Sequence, residues 1–330
     1  MLILTKSILA LMIGFSLSAI IGLILVPTLK KLKARQTVSS FLAKAHNKKN
    51  GIPTMGGIIF ISSTLLTFLI LIISGKLDFS YNLLIVVFVF LSYGLLGFVD
   101  DYLSVKKGKN EGLTTIQKLI AQILIAIVFY IIYVKTGGNN IISFYTLNIT
   151  INLGWFYPFF ILFVLVGFSN AVNITDGLDG LSGGLSVIAF LTFGLITWGS
   201  TWVVGYQEIA IICFVLVGAL MGFLLYNTHP ARIFMGDTGS LSLGATLATI
   251  GILTHHELTL VVVAGVFVIE TLTVIIQNVS MILTGKKVFL MTPLHHHFEK
   301  LGWQEQDIVK LFWTIGLFLG MLGVGFGVWI

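Results

Sequence analysis

The sequence predicts an all-α polytopic membrane protein of about ten transmembrane helices, on three observations. Of its 330 residues 57% are hydrophobic and only 10% charged, and the mean hydropathy of +1.03 is far above that of a soluble domain. The apolar residues fall in continuous runs long enough for helices of roughly 20 residues, the length that crosses a hydrocarbon core of about 30 Å with every backbone group paired. The basic residues are segregated. When loops are numbered alternately, one side carries sixteen (Lys30, Lys31, Lys33, Arg35, Lys44, Lys48, Lys49, Lys106, Lys107, Lys109, Lys118, Arg232, Lys286, Lys287, Lys300 and Lys310) and the other only Lys6, Lys76 and Lys135.

The candidate spans lie near residues 5–27, 56–74, 81–100, 116–134, 155–172, 181–198, 207–226, 238–254, 258–283 and 308–329. The positive-inside rule then puts both termini outside and five loops in the cytoplasm. An error of one in the helix count would destroy the charge segregation, so the asymmetry also supports the count. The first run, Ile8 to Val26, is followed by a basic segment and no small-residue cleavage site, and reads as a retained span. Cys213 lies inside an apolar run, which implies a buried thiol and excludes an intramolecular disulfide. A net charge of +6 would suggest nucleic acid in a soluble protein; carried on loops between spans it suits anionic lipid headgroups, and no nucleic-acid partner is expected. No internal repeat divides the chain, so residues 1–330 form a single membrane domain.

The outer loops carry little chemistry. IISFYTLNITINL, near 141–153, alternates apolar and polar residues and reads as a short β-hairpin. His255, His256 and Glu257 read as a solvated helix connection rather than a metal site.

The inner loops are different. NITDGLDGL (Asn173–Leu181) is a polar, twice acidic stretch between two spans. On a helical turn Asp176 and Asp179 would share a face, and Gly177 and Gly180 would admit a close ligand; the alternative is a glycine turn whose Asp residues cap the next helix. In the first inner loop Lys49 and Thr54 flank the Pro-Gly turn of GIPTMGG. Asp100 and Asp101, at the inner end of the third span, face each other and the negative end of the helix dipole, so a compensating cation is required. That cation is Lys106 or Lys107 if the pair is structural, or a divalent metal if it is catalytic. Lys118 enters the fourth span from the same side. In FMGDTGSL, Asp237 is either a helix cap or a carboxylate placed where a metal-bound phosphate is welcome, with Asn227 and Phe234 able to meet a nucleobase. His295, His296 and His297 are consecutive, a poor spacing for chelating one metal, and suit contact with phosphate better. Glu270, inside the ninth apolar run, is a proton-relay residue in a transporter or a structural group at a break in that helix. Gly316, Gly320, Gly323 and Gly327 give small faces for close helix contact.

GIPTMGG, GFVDDYL, NITDGLDGL, FMGDTGSL and MTPLHHHFE, in that order and on one membrane face, resemble the polyprenyl-phosphate N-acetylhexosamine-1-phosphate transferases over nearly the whole chain. The HHH run marks the branch that handles MurNAc-pentapeptide rather than GlcNAc. Ile52 and Thr292 depart from the usual Thr and Ala without touching a functional position. The resemblance implies a Mg²⁺-dependent, commonly homodimeric enzyme with a fragmented ninth helix. Such an enzyme moves phospho-MurNAc-pentapeptide from UDP-MurNAc-pentapeptide to undecaprenyl phosphate, with release of UMP, to begin lipid-linked peptidoglycan synthesis. It implies Asp237 as the metal ligand, Asp100 and Asp101 at the lipid phosphate, Lys118 at phosphate and His295 near the diphosphate. Lys49, Thr54, Asn173, Asp176, Gly177, Leu178, Asp179, Asn227, Phe234, Gln277, His296 and His297 would line the nucleotide and sugar site. The rival readings are a UDP-GlcNAc:polyprenyl-phosphate GlcNAc-1-phosphate transferase and, more remotely, a secondary transporter, whose polar groups would gather at the bilayer midplane.

Overall fold

The computed structural model describes residues 3–32, 51–108, 112–144, 149–200 and 205–328. Its helices, in chain order, are α1 (Ile3–Lys31), α2 (Gly57–Ile73), α3 (Tyr81–Lys107), α4 (Thr115–Lys135), α5 (Tyr157–Thr175), α6 (Leu181–Gly199), α7 (Tyr206–Asn227), α8 (Gly236–Leu253), α9 (Glu257–Val263), α10 (Gly265–Thr284), α11 (Leu294–Lys300) and α12 (Glu305–Val328). Eight of them, α1, α3, α4, α5, α6, α7, α10 and α12, are long and apolar enough to cross a membrane. The chain is a multi-pass membrane protein. Two of the ten expected spans fall short of that description for physical reasons. Helix α2 has only 17 residues, and α8 is rich in Gly, Ser and Thr because nearly all of its surface meets protein instead of lipid.

Burial sorts the helices. Helices α7 and α8 are buried almost all round, as expected of helices without a polar stripe at the centre of a bundle. Helix α7 packs against α1 and α6, and α8 against α3 and α5, while α12 closes over α6. Exposed apolar side chains such as Leu23, Phe163, Ile282 and Phe318 cover the outer helices, where hydrocarbon is the solvent. Small residues set the closest crossing. A Cβ on Gly218 would stand 2.1 Å from the Leu11 carbonyl oxygen, and one on Gly14 2.8 Å from that of Val215. The glycines of α12 make the same kind of contact within the chain: Gly316 meets Leu185, Gly320 meets Thr192, Gly323 meets Val263 and Gly327 meets Ile196.

A hairpin pairs β1 (Ile141–Phe144) with β2 (Ile149–Asn152), antiparallel, with Ile141 opposite Asn152. The ninth span is broken at Ala264, between α9 and α10. Glu270 lies past that break, inside α10, and takes no part in it. Three further expectations change. Helix α3 does not end near residue 100 but continues to Lys107, where Gly108 in the left-handed region (φ 64°) stops it and Lys106 and Lys107 complement the dipole. Asp100 and Asp101 therefore stand inside the helix. Asp176 and Asp179 share no helical turn, because α5 stops at Thr175 and α6 starts only at Leu181. The His255–Glu257 connection is largely buried: His256 Nδ1 lies 2.6 Å from the Thr254 carbonyl oxygen, and Glu257 Oε1 accepts from the Tyr157 hydroxyl at 3.3 Å.

Replacing Gly218 by leucine forces α1 and α7 apart, an overpacking cost of about 1–3 kcal/mol. The detergent-solubilised variant is expected to unfold several degrees below the wild type in a thermal-shift measurement, whereas Leu23→Ala on the lipid-facing side of α1 should leave the transition nearly unchanged.

Candidate active site

The site begins at the first turn of α8. No side chain of its own segment caps this helix. The cap comes from α3. Asp101 Oδ1 accepts the Asp237 N–H at 3.2 Å, and Oδ2 accepts the Thr238 N–H at 3.0 Å and the Thr238 hydroxyl at 2.6 Å. A buried carboxylate thus satisfies the orphan donors of a helix start more than a hundred residues away in sequence. The approach requires glycine at position 236. Its φ is +73°, and a Cβ there would stand 2.4 Å from Asp101 Oδ2 and 2.7 Å from Thr54 Oγ1.

With its N–H held, Asp237 turns its carboxylate the other way. Oδ2 accepts from Lys118 Nζ at 3.0 Å and Oδ1 from the Asn173 amide at 2.8 Å; Asn173 also donates to Ser240 Oγ at 2.9 Å. The same ammonium lies 3.5 Å from Asp100 Oδ2, while Asp100 Oδ1 accepts the Leu113 N–H at 2.7 Å. The cation beside Asp100 is therefore Lys118, from α4, shared with Asp237, while Asp101 is compensated by the α8 donors; Lys107, at the end of α3, instead donates to the Gly112 carbonyl at 3.0 Å. One ammonium between two carboxylates marks where positive charge is favoured. The oxygens that face it, on Asp100 and Asp237, are the pair that could hold a metal ion.

The histidine run forms α11, and its three rings face different partners. His295 is fully buried. Its backbone N–H donates to Glu270 Oε1 at 3.1 Å, and its Nδ1 lies 3.2 Å from Glu270 Oε2. The buried glutamate of α10 thus caps α11 and stands beside its imidazole. The far nitrogen, Nε2, meets Gly177, where a Cβ would stand only 2.3 Å away. His296 Nδ1 lies 2.5 Å from Glu299 Oε2, and His297 Nδ1 accepts the Leu290 N–H at 3.1 Å. Gln277 organises the loop before α11, its Oε1 accepting the Val288 and Phe289 N–H groups at 3.0 Å each.

The remaining residues surround these two centres. Thr54 is buried beside Gly236, and its turn is tied to the α8 loop: Phe234 N donates to Pro53 O at 2.8 Å, and Gly56 N to Phe234 O at 2.8 Å. Asn227 donates to the Ile233 carbonyl at 3.0 Å. Asp176 is half-buried at the end of α5, and Leu178 is buried. Asp179 is buried on the far side of its loop, its Oδ2 accepting the Ala231 N–H at 3.0 Å. Lys49 lies outside the described residues. Asn173, adjacent to Asp237, and Gly177, against His295, are four residues apart, so the two centres share one loop. Sequence reasoning did not find Glu270 as the partner of His295, or Ser240, His229 and Glu305 at the site; the cue for Glu270 was an ionisable group that the membrane tolerates only when it has a task.

The profile described as Glycosyl transferase family 4 matches residues 83–255, and signature 1 of the phospho-N-acetylmuramoyl-pentapeptide-transferases matches residues 49–61. Among curated proteins the chain is 47% identical over 323 residues to the phospho-N-acetylmuramoyl-pentapeptide-transferase of Geobacillus sp. (strain WCH70), covering 98% of each chain. It is 46% identical over 319 residues to that of Bacillus subtilis (strain 168), covering 97% of each.

Asp101→Ala strips three donors of their acceptor, at roughly 1–3 kcal/mol for each group left unpaired. Both the melting temperature and turnover of that variant are expected to fall. Glu270→Gln keeps an acceptor for the His295 N–H but removes the charge beside the imidazole, so it should stay folded and lose turnover by about tenfold to a hundredfold, a loss typical of removed supporting hydrogen bonds. Wild-type turnover in Glu270→Gln would remove His295 from the chemistry.

Proposed function

The chain belongs to the phospho-N-acetylmuramoyl-pentapeptide transferases, and from that membership we infer that it transfers phospho-MurNAc-pentapeptide from UDP-MurNAc-pentapeptide to undecaprenyl phosphate, releasing UMP. The observation that carries the reading is the Asp100–Lys118–Asp237 cluster: two carboxylates of different helices converge on one positive charge, beside an asparagine and a glycine-rich loop. Phosphoryl transfer asks mainly for positioning and charge neutralisation, and this is the arrangement that supplies both.

We propose Mg²⁺ as the cofactor, held by Asp237 with Asp100. The donor set fits, being hard carboxylate oxygens already gathered round a cation. When bound, the ion neutralises charge on the diphosphate and stabilises the departing UMP. Asn173 fixes the Asp237 carboxylate, and Asp101 fixes the turn beneath it. Lys118 remains beside the transferred phosphate, and His295, held by Glu270 against Gly177, faces the diphosphate across the loop. Thr54, Asp176, Gly177, Leu178, Asp179, Asn227, Phe234, Gln277, His296 and His297 line the nucleotide and sugar site in this reading, to which the resemblance adds Lys49. Undecaprenyl phosphate attacks the β-phosphorus in line, and Asp100 accepts any proton on its oxygen; a phosphate monoester has a second pKa near ~6, so little base is needed at neutral pH. The site faces the cytoplasm of the inner membrane, a placement supported by Lys30, Lys31, Lys106, Lys107, Lys286 and Lys287 at the same helix ends.

Purified protein given undecaprenyl phosphate and Mg²⁺ is expected to release UMP with UDP-MurNAc-pentapeptide; release with UDP-GlcNAc alone would assign the chain to the other branch. Asp237→Asn should fold normally in detergent and lose turnover by about 1,000-fold or more, the upper range for removing one charge-stabilising group. Chelation should abolish release and added Mg²⁺ restore it. A radiolabelled sugar phosphate retained on the protein in the absence of lipid acceptor would contradict direct attack.

A further inference from the structure

Behind the NITDGLDGL loop three segments meet at Asp179, His229 and Glu305, and the mechanism above gives no task to the last two. The Asp179 N–H donates to Glu305 Oε1, in the first turn of α12, at 2.6 Å. Asp179 Oδ2 lies 3.2 Å from His229 Nδ1 and accepts the Ala231 N–H at 3.0 Å. Glu305 Oε2 lies 3.5 Å from the same His229 nitrogen. A nitrogen that faces two carboxylate oxygens must carry the proton, so His229 is the donor that joins them. The three groups lie within 4.8 Å of one another, close enough to suggest a cation. Their oxygens, however, already receive two backbone N–H groups and an imidazole, and the set is closed by hydrogen bonds.

The placement gives the cluster its task. Asp179 is two residues after Gly177, which abuts His295; His229 and Ala231 precede Phe234 and Asp237 on the next inner loop; Glu305 begins the last helix. We propose that His229 and Glu305 are positioning residues of the transfer reaction: they lock the 176–180 loop to the loop that leads into α8, so that Gly177 and Leu178 are set against the nucleotide before substrate arrives. This rests on the transferase reading. Neither side chain touches the reacting atoms. Their loss makes the loop mobile, which weakens donor binding more than it slows the chemical step.

The test uses the full-length protein in detergent or nanodiscs, with Glu305→Ala, Glu305→Gln, His229→Ala and His229→Asn. Glu305→Ala and His229→Ala are expected to raise KM for UDP-MurNAc-pentapeptide by about tenfold, with a smaller change in kcat and none in KM for undecaprenyl phosphate. Glu305→Gln, which keeps an acceptor for the Asp179 N–H, and His229→Asn, whose amide can stand in for the ring N–H, should recover most of the loss. Hydrogen exchange at the amides of 177–181 should quicken in the two alanine variants without substrate. A fall in kcat at unchanged KM, or wild-type kinetics in both alanine variants, overturns the proposal. If the wild type turns over no UDP-MurNAc-pentapeptide, the transferase reading fails, while unchanged exchange in the alanine variants would separately show that no such lock exists.

Discussion

The candidate site depends on one carboxylate from α3 closing the start of α8. A helix that begins inside a membrane protein presents unpaired N–H groups that neither lipid nor a short glycine turn can satisfy. Asp101 satisfies two of them and the Thr238 hydroxyl as well, and the glycine at 236 exists to let it in. The consequence is directional. Once the Asp237 N–H is held from one side, its carboxylate is presented to the other, where Lys118, Asn173 and Asp100 converge. Two adjacent acidic residues that look equivalent thus divide the labour: Asp101 holds the scaffold, and Asp100 shares the cation.

The second centre follows the same logic with different parts. Glu270 could not stand unpaired inside α10. It accepts the His295 N–H and stands 3.2 Å from the imidazole, which anchors a helix of seven residues, too short to be stable alone, with its ring against Gly177. Both centres draw on the end of α5 and the loop after it, from Asn173 in the last helical turn to Gly177. Six helices, α3, α4, α5, α8, α10 and α11, thus bring polar partners from distant parts of the chain to these two centres. A transporter would place such groups at mid-depth with freedom to switch; here Glu270 is committed to a fixed helix.

Much of this was legible in the sequence, and the boundary between legible and illegible is physical. Apolar run length gave the spans, lysine distribution gave their alternation, and period-two patterning gave the hairpin, because each is a local consequence of solvent. The inner loops were identified as the chemical face because acids and histidines are too costly elsewhere. What stayed hidden were the partners. Nothing near Asp100 in sequence indicates Lys118 rather than Lys107, since the choice turns on where α3 stops, and that is set by Gly108. The partners of Asp101 are 136 and 137 positions away, and nothing near it in sequence indicates them. Asp176 and Asp179 were placed together by spacing on an assumed helical turn, but the chain leaves the helix at Thr175, and Asp179 turns to the opposite side.

If Asp100 and Asp237 form one cation-binding pair on the scaffold that Asp101 maintains, a divalent ion binds there before any substrate does. Electron paramagnetic resonance of Mn²⁺ titrated into the detergent-solubilised protein measures this without turnover. Saturable binding in the wild type that disappears in Asp237→Asn, weakens in Asp100→Asn and persists in Asp179→Asn is the predicted result. Undiminished binding in Asp237→Asn, with the protein folded, would contradict it.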